Sequence, residues 1–317
     1  MSTYRALKGY SVKSLTSDPA NPNEGQVWYN STAKTIKIQP LIKAWASGGN
    51  LGTARSKLAA GGSSTQTAGL VFGGNSGSAT ADTEEYNGSA WAEQNNMANA
   101  RQLLAGLGTQ AAALAFQGDG TTTTSEEYGG TSWTAGGTLN TGRGRSQACG
   151  TQTAGLAFGG EPNDNKAATE HYDGSSWTNG GNLNAGRQLG SGAGTQTAGL
   201  IFGGDANPGI LNSTEEYNGT AWAVVNAHTL ARKQSAGYGL QTAATLAAGT
   251  TGSNVTTVEE YDGTNWTTGT AVATARSAVT GMGTSVLGLI AGGTTGSLSN
   301  ATEEFTSAVT TRTVDVS

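Results

Sequence analysis

The sequence predicts an all-β fold, a six-bladed β-propeller with four short strands per blade. Three observations predict it. Six tryptophans, Trp45, Trp91, Trp133, Trp177, Trp222 and Trp266, recur at steps of 42 to 46 residues, a period typical of propellers and solenoids. Each is followed ten residues later by an arginine: Arg55, Arg101, Arg143, Arg187, Arg232 and Arg276. Between these marks lie short apolar runs broken by glycine, with no helical periodicity.

One repeat, residues 143–187, divides into four strand-like pieces. The first follows the arginine and is built of small residues. It carries glycine seven positions on, at Gly62, Gly108, Gly150, Gly194, Gly239 and Gly283. Small residues suit a crowded innermost strand, where backbones approach closely. The second piece, typified by TAGLVFGG, is an apolar run stopped by glycine at Gly74, Gly118, Gly160, Gly204, Gly249 and Gly293, which reads as a buried strand. Gln117 and Ala248 replace the first glycine of the pair in two repeats.

The third piece is TEEY, ending at Tyr86, Tyr128, Tyr172, Tyr217 and Tyr261, with Phe305 as the sixth. The fourth begins at the tryptophan five residues later. Asn-Gly, Gly-Gly or Asp-Gly stands between them, as at Asn87-Gly88 and Asp173-Gly174. Such pairs accept positive φ, so the third and fourth strands form a tight hairpin.

The repeats are out of phase with the chain. A tryptophan strand around Trp45 precedes any first strand, and the last repeat stops at TEEF, residues 302–305. Residues 43–50 are therefore expected to pair with residues 300–306. That completes the last blade with an N-terminal strand and removes two open sheet edges. The expected organisation is residues 1–42 as an N-terminal attachment segment with a short hairpin, 43–306 as propeller, and 307–317 as a tail.

In TEEY, alternate side chains face opposite ways. The first carboxylates, Glu84, Glu126, Glu170, Glu215, Glu259 and Glu303, match the six arginines one to one. A blade packs both faces against its neighbours, and a buried charge requires a partner. A repeated Arg–Glu structural pair is expected. A ring of catalytic carboxylates is disfavoured, because sixfold repetition does not suit a singular active site.

Composition narrows the function classes. Charged residues are only 12% and glycine reaches 50 of 317, which suits short strands and turns. The formal net charge is −5 with no basic block, against nucleic-acid binding. No signal peptide or membrane-spanning stretch is read, and a single cysteine precludes an intrachain disulfide. Seven N-x-[ST] triplets read as by-products of turn composition. His171 occupies the second glutamate position of TEEY. His228 replaces an apolar residue, and Cys149 falls in an apolar slot, so both read as packing residues. The glycine-rich run 190–194 lies in an innermost strand without a following helix, and no zinc, calcium or nucleotide motif is present. No cofactor, metal or catalytic residue is expected.

The segments between second and third strands vary most in length and sequence. They are rich in Asn, Asp, Ser and Thr and gather at the end where repeat connects to repeat. Loops on a rigid scaffold often carry binding; loops also drift where nothing constrains them. The candidate binding residues are Asn75, Ser76, Asp119, Asn163, Asp164, Asn165, Asp205, Asn207, Asn254 and Ser297. The Asn163–Asn165 cluster reads as a solvated turn in preference to a cation site.

The order glycine pair, tyrosine, tryptophan resembles the kelch repeat over residues 43–306, with a period shorter than the usual unit of about 50. Some kelch propellers are copper oxidases; two histidines in different slots and a core-like cysteine argue against that chemistry here. The string DPANPNEGQVWYNSTAKTIKI (18–38) resembles N-terminal segments of bacteriophage virion proteins, especially tail and fibre-like ones. YDGSSWTNGGNLNAGR followed by GTQTAGLAFGG is similar to kelch-like proteins of such phages. The resemblance implies a non-enzymatic virion protein, assembled in the host cytoplasm. Its propeller would bind or be displayed toward a host-surface glycan or protein. Residues 1–42, with Trp28 and Tyr29 as anchors, would attach it to other virion proteins, and a homo-oligomer is compatible. The alternatives are a cellular kelch-type interaction module and a glycan-binding lectin.

Overall fold

The structure, a computed structural model, describes residues 12–162, 166–206 and 209–314. Those residues form strands and no helix. The chain divides into two compact units, one made of residues 1–44 with 306–317 and the other of residues 45–305.

In the smaller unit, Val27–Asn30 pairs antiparallel with Thr35–Ile38 across the turn that the alternating sequence predicts. Lys13–Leu15 adds in parallel on one side. Arg312–Val314 adds antiparallel on the other, so the segment expected as a tail supplies the fourth strand. Trp28 is fully buried, and its indole donates to Asp18 Oδ1 at 2.9 Å. Asn30 donates to the same oxygen at 2.8 Å. These two hydrogen bonds, that of Asn30 first, hold the Asp18 carboxyl below its ordinary range. Trp28, expected as an attachment residue, is therefore a core residue of this unit with a satisfied polar end. Tyr29 is only partly buried.

The larger unit is a succession of four-stranded sheets. In the first, Ala59–Ala60, Gly69–Phe72, Thr83–Tyr86 and Trp91–Gln94 lie side by side in chain order. The next four repeat the pattern up to Trp266–Thr268, and the fourth carries an extra hairpin, Asp205–Ala206 with Gly209–Ile210. The sixth sheet joins Thr280–Gly283, Leu287–Ala291 and Thr302–Val309 to Leu41–Ser47 from far earlier in the chain. Consecutive antiparallel strands put the hairpins between strands one and two, and three and four, at one end of each sheet. The longer second-to-third loops and the repeat-to-repeat linkers share the other.

The turns follow from local chemistry. Asn87 Oδ1 accepts the Ser89 and Ala90 N–H groups while Gly88 takes φ 91°. This sets Tyr86 opposite Trp91, with ring centroids 4.9 Å apart. Gln117 and Ala248, in place of glycine, still adopt the left-handed conformation, at φ 62° and 58°, a cost of about 1–2 kcal/mol each.

The residue two places after each arginine is also left-handed: Lys57, Leu103, Arg145, Leu189, Gln234 and Ala278, at φ 53–57°. Its N–H donates to the matching carbonyl of the preceding repeat, and the series closes on itself. Leu103 donates to Lys57, Arg145 to Leu103, Leu189 to Arg145, Gln234 to Leu189, Ala278 to Gln234, and Lys57 to Ala278. Strained backbone kept six times over is held by the cyclic bonds it makes possible. First strands also contact one another from repeat to repeat, Thr280–Gly283 meeting Ala59–Ala60.

Candidate functional site

The recurring arginines and glutamates meet inside the sheets. Arg55–Glu84, Arg101–Glu126, Arg143–Glu170, Arg187–Glu215, Arg232–Glu259 and Arg276–Glu303 approach to 2.6–3.4 Å, and all twelve residues are buried. Each pair lies within one repeat. Arg55 Nη1 also donates to Gly73 O and Asp82 O, the two ends of the second-to-third loop. Glu84 accepts the Gly52 N–H of the incoming linker. One ion pair thus fixes linker, loop and third strand together. Arg101, Arg187 and Arg276 repeat the two-carbonyl pattern. Arg143 and Arg232 each reach a single carbonyl, Ala157 O and Leu246 O.

Burial pulls the guanidinium pKa values of Arg55, Arg187 and Arg276 down, and those of Arg143 and Arg232 to about 10, with the paired glutamate opposing the shift. Arg143 and Arg232 stay charged at neutral pH. Burial alone would raise the Glu126 carboxyl; hydrogen bonds from Arg101, Asn99 and the Ala98 N–H outweigh it and leave the group below its ordinary value. At Glu259 burial is outweighed by the neighbouring His228 ring, the hydrogen bond from the Thr229 N–H and the Arg232 charge, which bring it to about 2. These carboxylates are committed to the frame.

Two further sets of contacts join neighbouring repeats. In four of the five Glu-Glu pairs the second residue bonds the next repeat's tyrosine. Tyr128 donates to Glu85 at 2.9 Å and Tyr261 to Glu216 at 2.8 Å; Tyr172 bonds Glu127, and Tyr86 bonds Glu304. His171 fills this slot in its repeat, with Nε2 2.8 Å from Tyr217 Oη. Burial raises the tyrosine pKa values, to about 12 at Tyr86 and Tyr172, and lowers that of His171. The other set is glutamine. Gln66, Gln110, Gln152, Gln196 and Gln241 each donate to two main-chain carbonyls of the preceding repeat, as Gln110 does to Gly69 O and Tyr86 O. The sequence reading passed over these glutamines, although their recurrence in the first-to-second hairpin was a usable signal.

His228 and Cys149 sit where the apolar slots place them. His228 is buried with its edge to Trp266 and Nδ1 3.6 Å from Glu259 Oε2. Cys149 is buried, which pushes its thiol pKa up, and Sγ donates to Thr195 O at 3.3 Å. Among the described residues no three His, Cys, Asp or Glu side chains converge as a metal site.

The loop residues form a polar belt. Asn75 and Asp119 are joined through Gln102, which accepts from Asn75 at 2.7 Å and donates to Asp119 at 3.1 Å. Asp205 pairs with Lys233 of the next linker. Asn254 donates to Thr294 O of the next loop at 2.8 Å. Ser76 and Ser297 are exposed at loop tips. Asn163, Asp164, Asn165 and Asn207 lie outside the described residues.

Residues of the first strands of all six repeats line a cavity of about 490 Å³. Lys57, Arg145 and Gln234 stand at its loop end. At the hairpin end the first repeat has two extra residues around Gly61–Ser64. Ser63 N donates to Gly108 O at 2.9 Å, and Ser63 Oγ to Gly150 O of the third repeat at 3.0 Å. This insertion reaches across the cavity to two other repeats.

A scan against protein-family models finds no match for the chain, and a search of curated proteins finds none either.

Proposed function

We propose that residues 45–305 are a six-bladed, kelch-like β-propeller closed by the strand Leu41–Ser47, and that it serves as a non-enzymatic binding and display module. The cyclic main-chain bonds from Lys57 through Ala278 and back support the ring reading. The observation that carries the functional reading is a contrast between frame and loops. The same Arg–Glu, Tyr–Glu and Gln–carbonyl contacts recur from repeat to repeat, while the loops they hold differ in sequence and length. A frame this constant positions variable polar side chains on one surface, as binding requires.

The sequence resemblance gives the setting: a bacteriophage virion protein, attached to other virion proteins through its N-terminal unit and presenting the loop end to a host surface. Amide and hydroxyl groups such as those of Ser76 and Ser297 suit hydrogen bonding to a glycan. The test uses the full chain on host cells and on a glycan array. Ser76→Trp with Ser297→Trp, at exposed loop tips, should abolish binding. Ser175→Trp, in an exposed hairpin at the other end, should leave it intact. Loss of binding from the hairpin variant alone, or absence of binding to any host surface, defeats the reading.

A further inference from the structure

The two ends of the cavity differ. At the loop end the cyclic bonds from Lys57 through Ala278 join each linker to its neighbour, so these bonds form a collar around the opening. At the hairpin end Ser63 bonds Gly108 O of the second repeat and Gly150 O of the third, a chord that passes over the cavity. A ligand therefore enters from the loop end.

Beyond the recurring arginines the linkers carry three cations, Lys57, Arg145 and Lys233. Two of them are neutralised. Arg145 Nε lies 3.2 Å from Glu161 Oε1, and Lys233 pairs with Asp205. Both carboxylates stand directly after the glycine pair of their repeat. That position is Asn75 in the first repeat and Thr294 in the sixth. Lys57 sits between these two repeats: Ser56 bridges to Asn75, and the Lys57 N–H donates to Ala278 O. Among the described residues no carboxylate forms an ion pair with Lys57, which lines the cavity and is only partly buried. Asp119, at the corresponding position of the second repeat, takes the Gln102 amide at 3.1 Å.

The loops beside Lys57 are uncharged. Residues 75–81, 250–257 and 294–301 contain no Asp, Glu, Lys or Arg; Asp82 closes the first of these loops and accepts from Asn96 at 3.3 Å. The three tips are built alike, with main-chain bonds from Ser76 to Ser78, Thr251 to Ser253 and Thr295 to Ser297, and all six residues are exposed. Asn254 links the fifth-repeat loop to Thr294 O of the sixth. One unneutralised ammonium thus stands at the mouth of a cavity beside a continuous surface of hydroxyls and amides, and a cleft of one charge sign concentrates the field on its ligand.

We propose that this sector binds an acidic sugar: the Lys57 ammonium takes its carboxylate or sulfate, and the loops of the fifth, sixth and first repeats take its hydroxyls. The inference rests on the glycan reading of the loop end and names the ligand class. Titrating the full chain over a glycan array of neutral oligosaccharides and the same chains carrying uronate or sulfate tests it. The acidic members should bind about tenfold more tightly, the worth of one charge-assisted hydrogen bond, and the preference should shrink as salt rises. Lys57→Gln should abolish the preference; glutamine already occupies this left-handed slot at Gln234, φ 56°. Lys57→Arg, the residue in the same slot at Arg145, should keep it. Asn75→Glu supplies the carboxylate that Glu161 supplies in the third repeat, and should cancel the preference with Lys57 in place. Lys37→Gln, in the smaller unit, should change nothing.

Equal binding of acidic and neutral members, or a preference that survives Lys57→Gln, overturns the assignment and leaves the loop-end glycan reading standing. No binding to any member overturns both.

Discussion

Arg55→Ala isolates what the buried ion pairs contribute. The substitution removes a partner 2.9 Å from Glu84 and strips donors from Gly73 O and Asp82 O. Glu84, 2% exposed, keeps the Gly52 N–H at 2.7 Å but loses its countercharge. Breaking a buried pair from one side costs about 3–5 kcal/mol, most of it the penalty on the charge left behind. For a unit of this size about 2 °C of melting temperature follows each kcal/mol, so a fall of roughly 6–10 °C is expected. Thermal unfolding followed by tryptophan fluorescence reads it, with Arg145→Ala as comparator. Arg145 pairs with Glu161 at 3.2 Å, but both side chains are about a third exposed, and such a pair is worth about 0–1 kcal/mol. Adding Glu84→Gln to Arg55→Ala removes the stranded charge and should recover part of the loss. If Arg55→Ala melts within 2 °C or so of the unaltered chain, the assignment of the pair as a structural keystone is wrong.

Two further outcomes follow from the same frame. Glu126 and Glu259 titrate below the ordinary glutamate value of 4.5. Their contribution to stability is therefore complete above pH 4.5 and lost as pH falls toward the folded values, near 2 for Glu259. Acid titration by circular dichroism should place the loss of structure in that window, and a flat profile down to pH 2 would contradict it. Gln152→Ala leaves Ala113 O and Tyr128 O without their 2.9 Å donor; a loss of about 1–3 kcal/mol in denaturant unfolding is expected, and a change within error would mean that water replaces the amide.

The all-β class was legible because each repeat announces its strands with the same landmarks. The glycine pair stops the second strand, the Asn-Gly or Asp-Gly turn makes the hairpin, and tryptophan opens the fourth. The Arg–Glu pairing was legible from matched counts and from strand alternation. Three things were not. Gln110 and its counterparts read as polar turn residues, because their partners are main-chain carbonyls, which have no sequence signature. The Glu85 slot read as facing away from the pair, without the neighbouring tyrosine that completes it. Trp28 read as an anchor, because an aromatic in a short alternating segment gives no sign of whether a core covers it; Asp18, ten residues earlier, is what identifies its burial.

The low charge content takes on a different meaning once the pairs are placed. A chain with 12% charged residues and 50 glycines could pass for a disordered one on composition alone. Its charges are sparse, but twelve of them sit in six buried pairs, each tying linker, loop and strand at one point. Glycine supplies the positive φ and close approach that let those points form, as at Gly108, where a Cβ would sit 2.3 Å from Ala112 O. The repeated, directional contacts fix the geometry within which the apolar clusters pack.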